Sequence, residues 1–192
     1  MTRRRALMAF FSLPLLAALA ACSTVPPAPR DLLNENTGAT ITVVGAPITF
    51  ARQSGGQSSQ DFLTLVAIQR DDTGKYTDLL LLYRWSVLFG PVASAPEESV
   101  QVLQLEVDGR SIELQPLQRL PTGLPSPKDL YVPDTTEAAM RAYVTDLETM
   151  RLIATSHELT VRLPQESLGG PFKLWRDGRS ALGQFLQHLS GT

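Results

Sequence analysis

Cysteine and histidine are almost absent from this sequence. Its 192 residues include one cysteine, Cys22, and two histidines, His157 and His188. A single thiol excludes an intramolecular disulfide, and neither histidine has a second ligand nearby at metal-binding spacing. We therefore predict no catalytic, cofactor-binding or metal-binding residue from these side chains. The folded part must be stable through its own core.

A hydrophobic run long enough to span a membrane is also missing. Residues 6–21 are apolar apart from Ser12, but a transmembrane helix needs about 20 apolar residues. Three arginines at positions 3–5 precede the run, and small residues end it, which is typical of a secretory signal. An uncleaved anchor helix is the alternative, and Pro14 and the short length argue against it. Residues 1–21 are therefore predicted to be a signal peptide.

Basic residues do not cluster after this segment. Loss of the three arginines from the 17 basic residues leaves 14, against 19 acidic residues, so the mature net charge is −5. A nucleic-acid interface needs a basic patch, and so does electrostatic adhesion to anionic lipid. We therefore expect no nucleic-acid partner and no attachment to membranes by charge alone.

Phosphate-binding and nucleophile motifs are missing as well. The sequence has no P-loop and no G-x-G-x-x-G. Gly178 to Gly183 approaches the G-x-S-x-G nucleophile elbow, but its second glycine comes one residue too late. Ser180 is better interpreted as the N-cap of the last helix.

The feature that stands out is Leu19-Ala20-Ala21-Cys22 at the end of the apolar run. Position by position it resembles the lipobox of bacterial lipoproteins. The resemblance implies a diacylglycerol thioether on Cys22, cleavage before it, and acylation of the new N-terminus with a fatty acid such as palmitate. More than one chain gives stable anchoring, because each buried methylene contributes about 0.8 kcal/mol. Ser23 follows, which in this class goes with sorting to the outer membrane, so we expect a protein that faces the periplasm.

Prolines dominate the residues after the lipid-attachment site. Pro26, Pro27 and Pro29 favour an extended path of about 3.1 Å per residue. We predict a tether without regular structure over residues 22–37. A single β-rich globular domain is predicted over residues 38–192, which is long enough for one core.

Strand patterns fill most of this domain. The longest, Tyr76–Phe89, alternates with a period of two and carries an apolar face, which indicates core. Asp108-Gly109 is a type I′ turn signal, and it predicts a hairpin in which Leu105 faces Ile112. Further strands are predicted over Thr40–Val44, Pro47–Arg52, Phe62–Arg70, Ala138–Val144, His157–Leu163 and Pro171–Arg176.

Two helices complete the predicted fold. The first helix follows a capping box, Thr145-Asp146-Leu147-Glu148, and is predicted to end near Thr155. The second covers about Ser180–Leu189, with an apolar stripe at helical spacing. The fold class is therefore mainly β (α+β), an antiparallel β-sandwich-like domain with two short helices, one of them C-terminal. The alternative is a single curved sheet around the last helix.

A proline-rich stretch interrupts this pattern over residues 116–136. A loop of this length within a compact domain is unusual. Its leucines and Tyr131 indicate that it lies pinned over the sheet. It is the first candidate for a binding surface, and the alternative is a pinned crossover between two sheets.

Several segments resemble a group of uncharacterised proteobacterial envelope lipoproteins. They are Leu82-Tyr83-Arg84-Trp85-Ser86, His157–Arg162, and Leu174-Trp175 followed by Leu182–Leu186. The resemblance carries no activity and no site. We expect a membrane-anchored envelope lipoprotein with a non-catalytic binding or scaffolding domain, whose partners are the membrane, through Cys22, and an envelope protein. Two alternatives stay open: a periplasmic hydrolase with a site assembled from distant residues, and a carrier of an apolar ligand between sheets.

Overall fold

Ten strands and two α-helices form the domain in a computed structural model, which describes residues 26–53, 59–88, 102–131, 139–164 and 170–191. The helices are α1 (Leu147–Thr155) and α2 (Arg179–Ser190). In chain order the strands are β1 (Arg30–Leu33), β2 (Thr40–Val43), β3 (Ile48–Gln53), β4 (Ser59–Asp72), β5 (Lys75–Leu88), β6 (Leu103–Val107), β7 (Arg110–Leu114), β8 (Ala139–Val144), β9 (Leu159–Arg162) and β10 (Phe172–Arg176).

The fold class predicted from the sequence is confirmed. The domain is mainly antiparallel β with two helices, and the last helix is C-terminal. All ten strands belong to one open sheet, in the order β1-β2-β4-β3-β10-β9-β6-β7, and β5 pairs with β4 and β8. The sandwich-like arrangement is therefore built from one hydrogen-bonded sheet.

The β4–β5 hairpin is the centre of this sheet. Its two strands are 14 residues each and pair over their whole length, from Ser59 opposite Leu88 to Asp72 opposite Lys75. Leucines of β5 are buried on both of its faces, among them Leu79, Leu80, Leu81 and Leu82. Because both faces of β5 are covered at this point, consecutive residues are apolar and do not alternate with polar ones.

Two strands share the other edge of β4. β2 pairs with residues 68–71 and β3 with residues 60–65. The break between them is Gly45-Ala46-Pro47, where proline has no N–H for a ladder. The predicted interruption at this point is confirmed.

The β6–β7 hairpin forms as predicted. Asp108 and Gly109 both have positive φ, 48° and 78°, as a type I′ turn requires. The register places Leu103, Leu105 and Val107 opposite Leu114, Ile112 and Arg110. The turn chemistry was therefore sufficient to define this pair.

Both predicted N-caps are wrong, by one residue for α1 and by two residues for α2. Asp146, not Thr145, caps α1, and its Oδ1 accepts from the Thr149 N–H at 2.6 Å. Asp146 has an extended backbone, so the helix begins one residue later than the capping box implied. The cap residue of α2 is Gly178, and Ser180 lies inside the first turn.

Helix α2 covers the sheet with the predicted stripe. Leu182, Phe185 and Leu186 are buried, and Leu189 is half-buried. Leu182 meets Ile48, Leu65 and Leu80, which come from three adjacent strands, around an apolar void of about 10 Å³. A void of that size is at the lower limit for one water molecule.

The predicted tether is ordered over part of its length. Residues 30–33 form β1, which pairs with β2 from Arg30 opposite Val43 to Leu33 opposite Thr40. The prediction of no regular structure up to residue 37 is therefore wrong. The reason lies in tertiary structure: β2 offers a free edge, and the Asp31 carboxylate accepts from the Thr42 hydroxyl at 2.7 Å.

Candidate functional site

The described part of the proline-rich stretch, residues 116–131, is fastened to the sheet. Leu130 is buried, and the Tyr131 hydroxyl reaches the carbonyl oxygens of Val44 and Gly45 at 2.9 and 2.5 Å. Arg70 donates to the Thr122 carbonyl at 2.5 Å. The predicted attachment to the sheet is therefore confirmed for these residues, but the stretch does not connect two sheets, because the ten strands belong to one. Residues 132–136 lie outside the described part of the chain.

A cleft of about 230 Å³ opens at the start of this stretch. Its walls come from two segments, the first residues of the stretch and strand β8. The Leu117 N–H donates to the Ala142 carbonyl at 2.7 Å, and Pro116 forms a bridge to Tyr143. Residues that line the cleft are Pro116, Leu117, Gln118, Leu120, Met140, Arg141 and Ala142.

The lining of the cleft is suited to binding rather than to catalysis. Leu117, Leu120 and Met140 supply apolar surface, and Leu120 is exposed. Gln118 supplies an amide and Arg141 a guanidinium, which donates to the Met140 carbonyl at 3.0 Å. The lining residues include no carboxylate, imidazole, hydroxyl or thiol side chain, so they offer neither a nucleophile nor a general base.

The two histidines lie in different settings, and neither lines the cleft. His188 Nε2 is 3.2 Å from Asp31 Oδ2, and Thr42 donates to the other oxygen of that carboxylate. The Asp31 carboxylate thus lies between the imidazole of His188 and the hydroxyl of Thr42, within hydrogen-bonding distance of both. In a catalytic triad the imidazole stands between the nucleophile and the acid. Sequence reasoning missed this group because Asp31 lay in the predicted tether.

His157 belongs to a clamp at the β6–β7 turn. Asp108 Oδ1 accepts the backbone N–H groups of His157 and Glu158 at 2.8 and 2.7 Å. These two N–H groups, that of Glu158 first, hold the pKa of Asp108 below its usual value. The arrangement joins the hairpin turn to the start of β9.

Arg179 extends the clamp to the beginning of α2. Its guanidinium binds both carboxylate oxygens of Asp177, at 2.9 and 2.6 Å, and donates to the carbonyls of Ser156 and His157. The hydrogen bonds from Arg179 hold the pKa of Asp177 below its usual value. Ser180 is exposed beside this group and follows an antiparallel strand, so the segment does not form a nucleophile elbow.

We expect Asp108→Asn to lower stability at neutral pH and to lose that effect in acid. Asparagine tolerates the positive φ of the turn, so the substitution removes mainly the charge. The folded pKa is depressed, so the charged carboxylate stabilises the fold above the unfolded pKa of about 3.9. This contribution disappears as pH falls through the lower folded pKa.

Urea midpoints of the wild type and the Asp108→Asn variant at pH 7 and pH 3 measure this effect. The difference in urea midpoint between the wild type and the variant should be clear at pH 7 and small at pH 3. Glu113→Gln, which neutralises an exposed carboxylate on β7, serves as the control and should change the midpoint little at either pH. An equal gap for Asp108→Asn at both pH values would contradict the role of the charge.

A metal-binding cluster and a membrane-spanning helix are both absent from the residues that the structure describes. That part of the chain holds no group of three or more His, Cys, Asp or Glu side chains placed to bind a metal ion. It also holds no helix long and apolar enough to cross a membrane. Cys22, the predicted lipid-attachment residue, lies outside the described residues.

Comparison with known proteins gives no relative. No protein-family model, no curated protein and no solved structure matches this chain.

Proposed function

We propose that this chain is an envelope lipoprotein, anchored through acyl chains on Cys22, whose domain binds a partner without catalysis. Leu19-Ala20-Ala21-Cys22 behind the basic and apolar segments supports the anchor. The outer membrane, with the domain in the periplasm, is the proposed location because Ser23 follows the cysteine.

The composition of the cleft carries the binding part of the proposal. Its seven lining residues combine apolar side chains with one amide and one guanidinium. A guanidinium beside apolar surface favours a ligand that has a carboxylate next to an apolar group. The proposed ligand is an extended segment of an envelope protein with that pairing of side chains.

Strand geometry supports an extended ligand. Leu117 donates to the Ala142 carbonyl on the edge of β8 that faces away from β5, so this short segment already lies along the strand. A peptide that continues along the same edge would use main-chain hydrogen bonds for affinity and the cleft for side-chain selection. Met140 and Arg141 lie on the strand at this position.

A photo-crosslinking residue at position 118 tests the binding part of the proposal. Gln118 is exposed at the cleft, so p-benzoylphenylalanine there should give a discrete adduct in intact cells. Adding Arg141→Glu should reduce the adduct about tenfold, because reversal of the charge costs 1.4 kcal/mol or more in affinity. Yields are compared at equal protein levels in the membrane fraction.

The same crosslinker at position 110 is the matched control. Arg110 is exposed on β7, away from the cleft-lining residues, and should give no comparable adduct. Equal adducts from positions 118 and 110, or an adduct from position 118 that Arg141→Glu leaves unchanged, would refute the cleft as the binding site.

A further inference from the structure

The chain between the proposed anchor and the domain is short. A Cβ on Gly45 would overlap the carbonyl oxygen of Pro27, so the two backbones are in direct contact there. Pro27 is five residues after Cys22. A fully extended chain spans at most about 3.6 Å per residue, which limits the separation of these two residues to about 18 Å. An anchor on Cys22 is therefore joined to the corner at Gly45 by at most about 18 Å of chain.

The same corner also contacts the junction between β10 and α2. A Cβ on Gly178 would overlap the carbonyl oxygen of Pro47. Gly45 and Pro47 are two residues apart, which is at most about 7 Å. Pro27 and Gly178 are thus held on one corner of the domain.

An exposed tryptophan lies next to this junction. Trp175 comes three residues before Gly178 and is 62% exposed. The edge of its ring meets Phe62, with centroids 6.0 Å apart, and Phe62 stacks on Trp85 at 4.1 Å. The indole is therefore supported from below by aromatic rings while most of its surface faces outward.

Basic side chains flank the tryptophan. Lys173 and Arg176 are exposed, and among the described residues neither has an ion pair. Tryptophan prefers the boundary between lipid headgroups and acyl chains, because its ring is apolar and its N–H is polar. Lysine and arginine near it can bind lipid phosphates.

We propose that Trp175, together with Lys173 and Arg176, rests on the bilayer surface that holds the acyl chains of Cys22. The inference rests on the proposed lipid anchor. The anchor raises the local concentration of these three side chains at the bilayer, because at most about 18 Å of chain joins Cys22 to this corner. The mature net charge of −5 gives the domain as a whole no attraction to anionic lipid, so the contact is local.

Depth-dependent quenching of single-tryptophan variants tests this contact. The chain has two tryptophans, so Trp85→Phe leaves Trp175 and Trp175→Phe leaves Trp85. Each lipidated variant is reconstituted into vesicles of phosphatidylethanolamine and phosphatidylglycerol, with and without lipid that carries a spin label near the headgroup. Trp175 should lose about half of its emission to the label, as an interfacial tryptophan does. Trp85, which is half-buried on the other side of Phe62, should lose clearly less.

The possible results distinguish the proposed membrane contact of Trp175 from the proposed lipid anchor on Cys22. Mass spectrometry of the same samples first establishes whether Cys22 carries lipid. A lipidated protein whose Trp175 is not quenched would overturn the membrane contact and leave the anchor intact. Stronger quenching of Trp85 than of Trp175 would also overturn it, because the indole beneath Phe62 would then be closer to the bilayer than the exposed one. A protein without lipid on Cys22 would overturn both proposals.

Discussion

Cys22→Ala is expected to transfer the protein from the membrane fraction to the soluble fraction and to block maturation at this site. The thiol is the group to which the diacylglycerol would attach, and the sequence contains no other cysteine. Each acyl chain contributes about 0.8 kcal/mol per buried methylene, so removing all chains removes essentially all of the membrane affinity. The contact proposed for Trp175, Lys173 and Arg176 cannot replace the acyl chains, because it depends on the anchor to hold it near the bilayer.

Cell fractionation with immunoblotting, and labelling with a palmitate analogue, measure this result. Thr24→Ala, which leaves the thiol in place, is the control and should fractionate and label like the wild type. If the Cys22→Ala protein stays membrane-bound at the same size as the wild type, residues 6–21 act as a retained anchor and the lipoprotein proposal is wrong.

Gly178→Ala is expected to lower the free energy of unfolding by about 1–3 kcal/mol, which is the range for substitutions that create a steric overlap in a packed region. The new Cβ would overlap the carbonyl group of Pro47 and approach the Ala46 oxygen at 3.0 Å. Both are backbone atoms, so the contact cannot be relieved by rotating a side chain. The start of α2 would have to move away from the corner between β2 and β3.

Gly183→Ala, in the same helix, provides a control of opposite sign. Nothing lies within 4 Å of a Cβ at this position. Replacing an interior helical glycine with alanine should stabilise the domain by about 0.5–1 kcal/mol. Urea denaturation of the two variants measures both changes. Destabilisation by both substitutions to the same extent would show that helix α2 does not tolerate change in general, rather than a specific contact at Gly178.

Local signals in the sequence were sufficient for elements whose structure depends mainly on residues that are close in the sequence. The Asp108-Gly109 turn predicted the β6–β7 hairpin because a two-residue loop determines the register of its strands. The apolar stripe of α2 predicted its buried face because a helix repeats every 3.6 residues. Neither prediction depends on residues that are distant in the sequence.

Tertiary contacts decided the features that the sequence did not predict. β1 follows three prolines and has little strand character of its own, and it forms because β2 offers an edge. The start of α2 is fixed by the contact between Gly178 and Pro47 rather than by the hydroxyl of Ser180. The proline-rich stretch pointed to the correct region for a cleft, but its walls are about 24 residues apart in the sequence, and no local pattern links them.

The way β1 begins determines how the domain responds to mechanical force. A pull applied to the chain ahead of Pro27 reaches Arg30, which is the first residue of β1 and is paired with Val43 of β2. Arg30 lies over the Tyr131 ring at 5.3 Å and donates to the Asp129 carbonyl at 2.6 Å. The Tyr131 hydroxyl is itself bound to the corner at Gly45. Tension would therefore load the side-chain contacts of Arg30 together with the first pair of the β1–β2 ladder, so contacts with distant parts of the chain help to keep β1 from being peeled off the sheet.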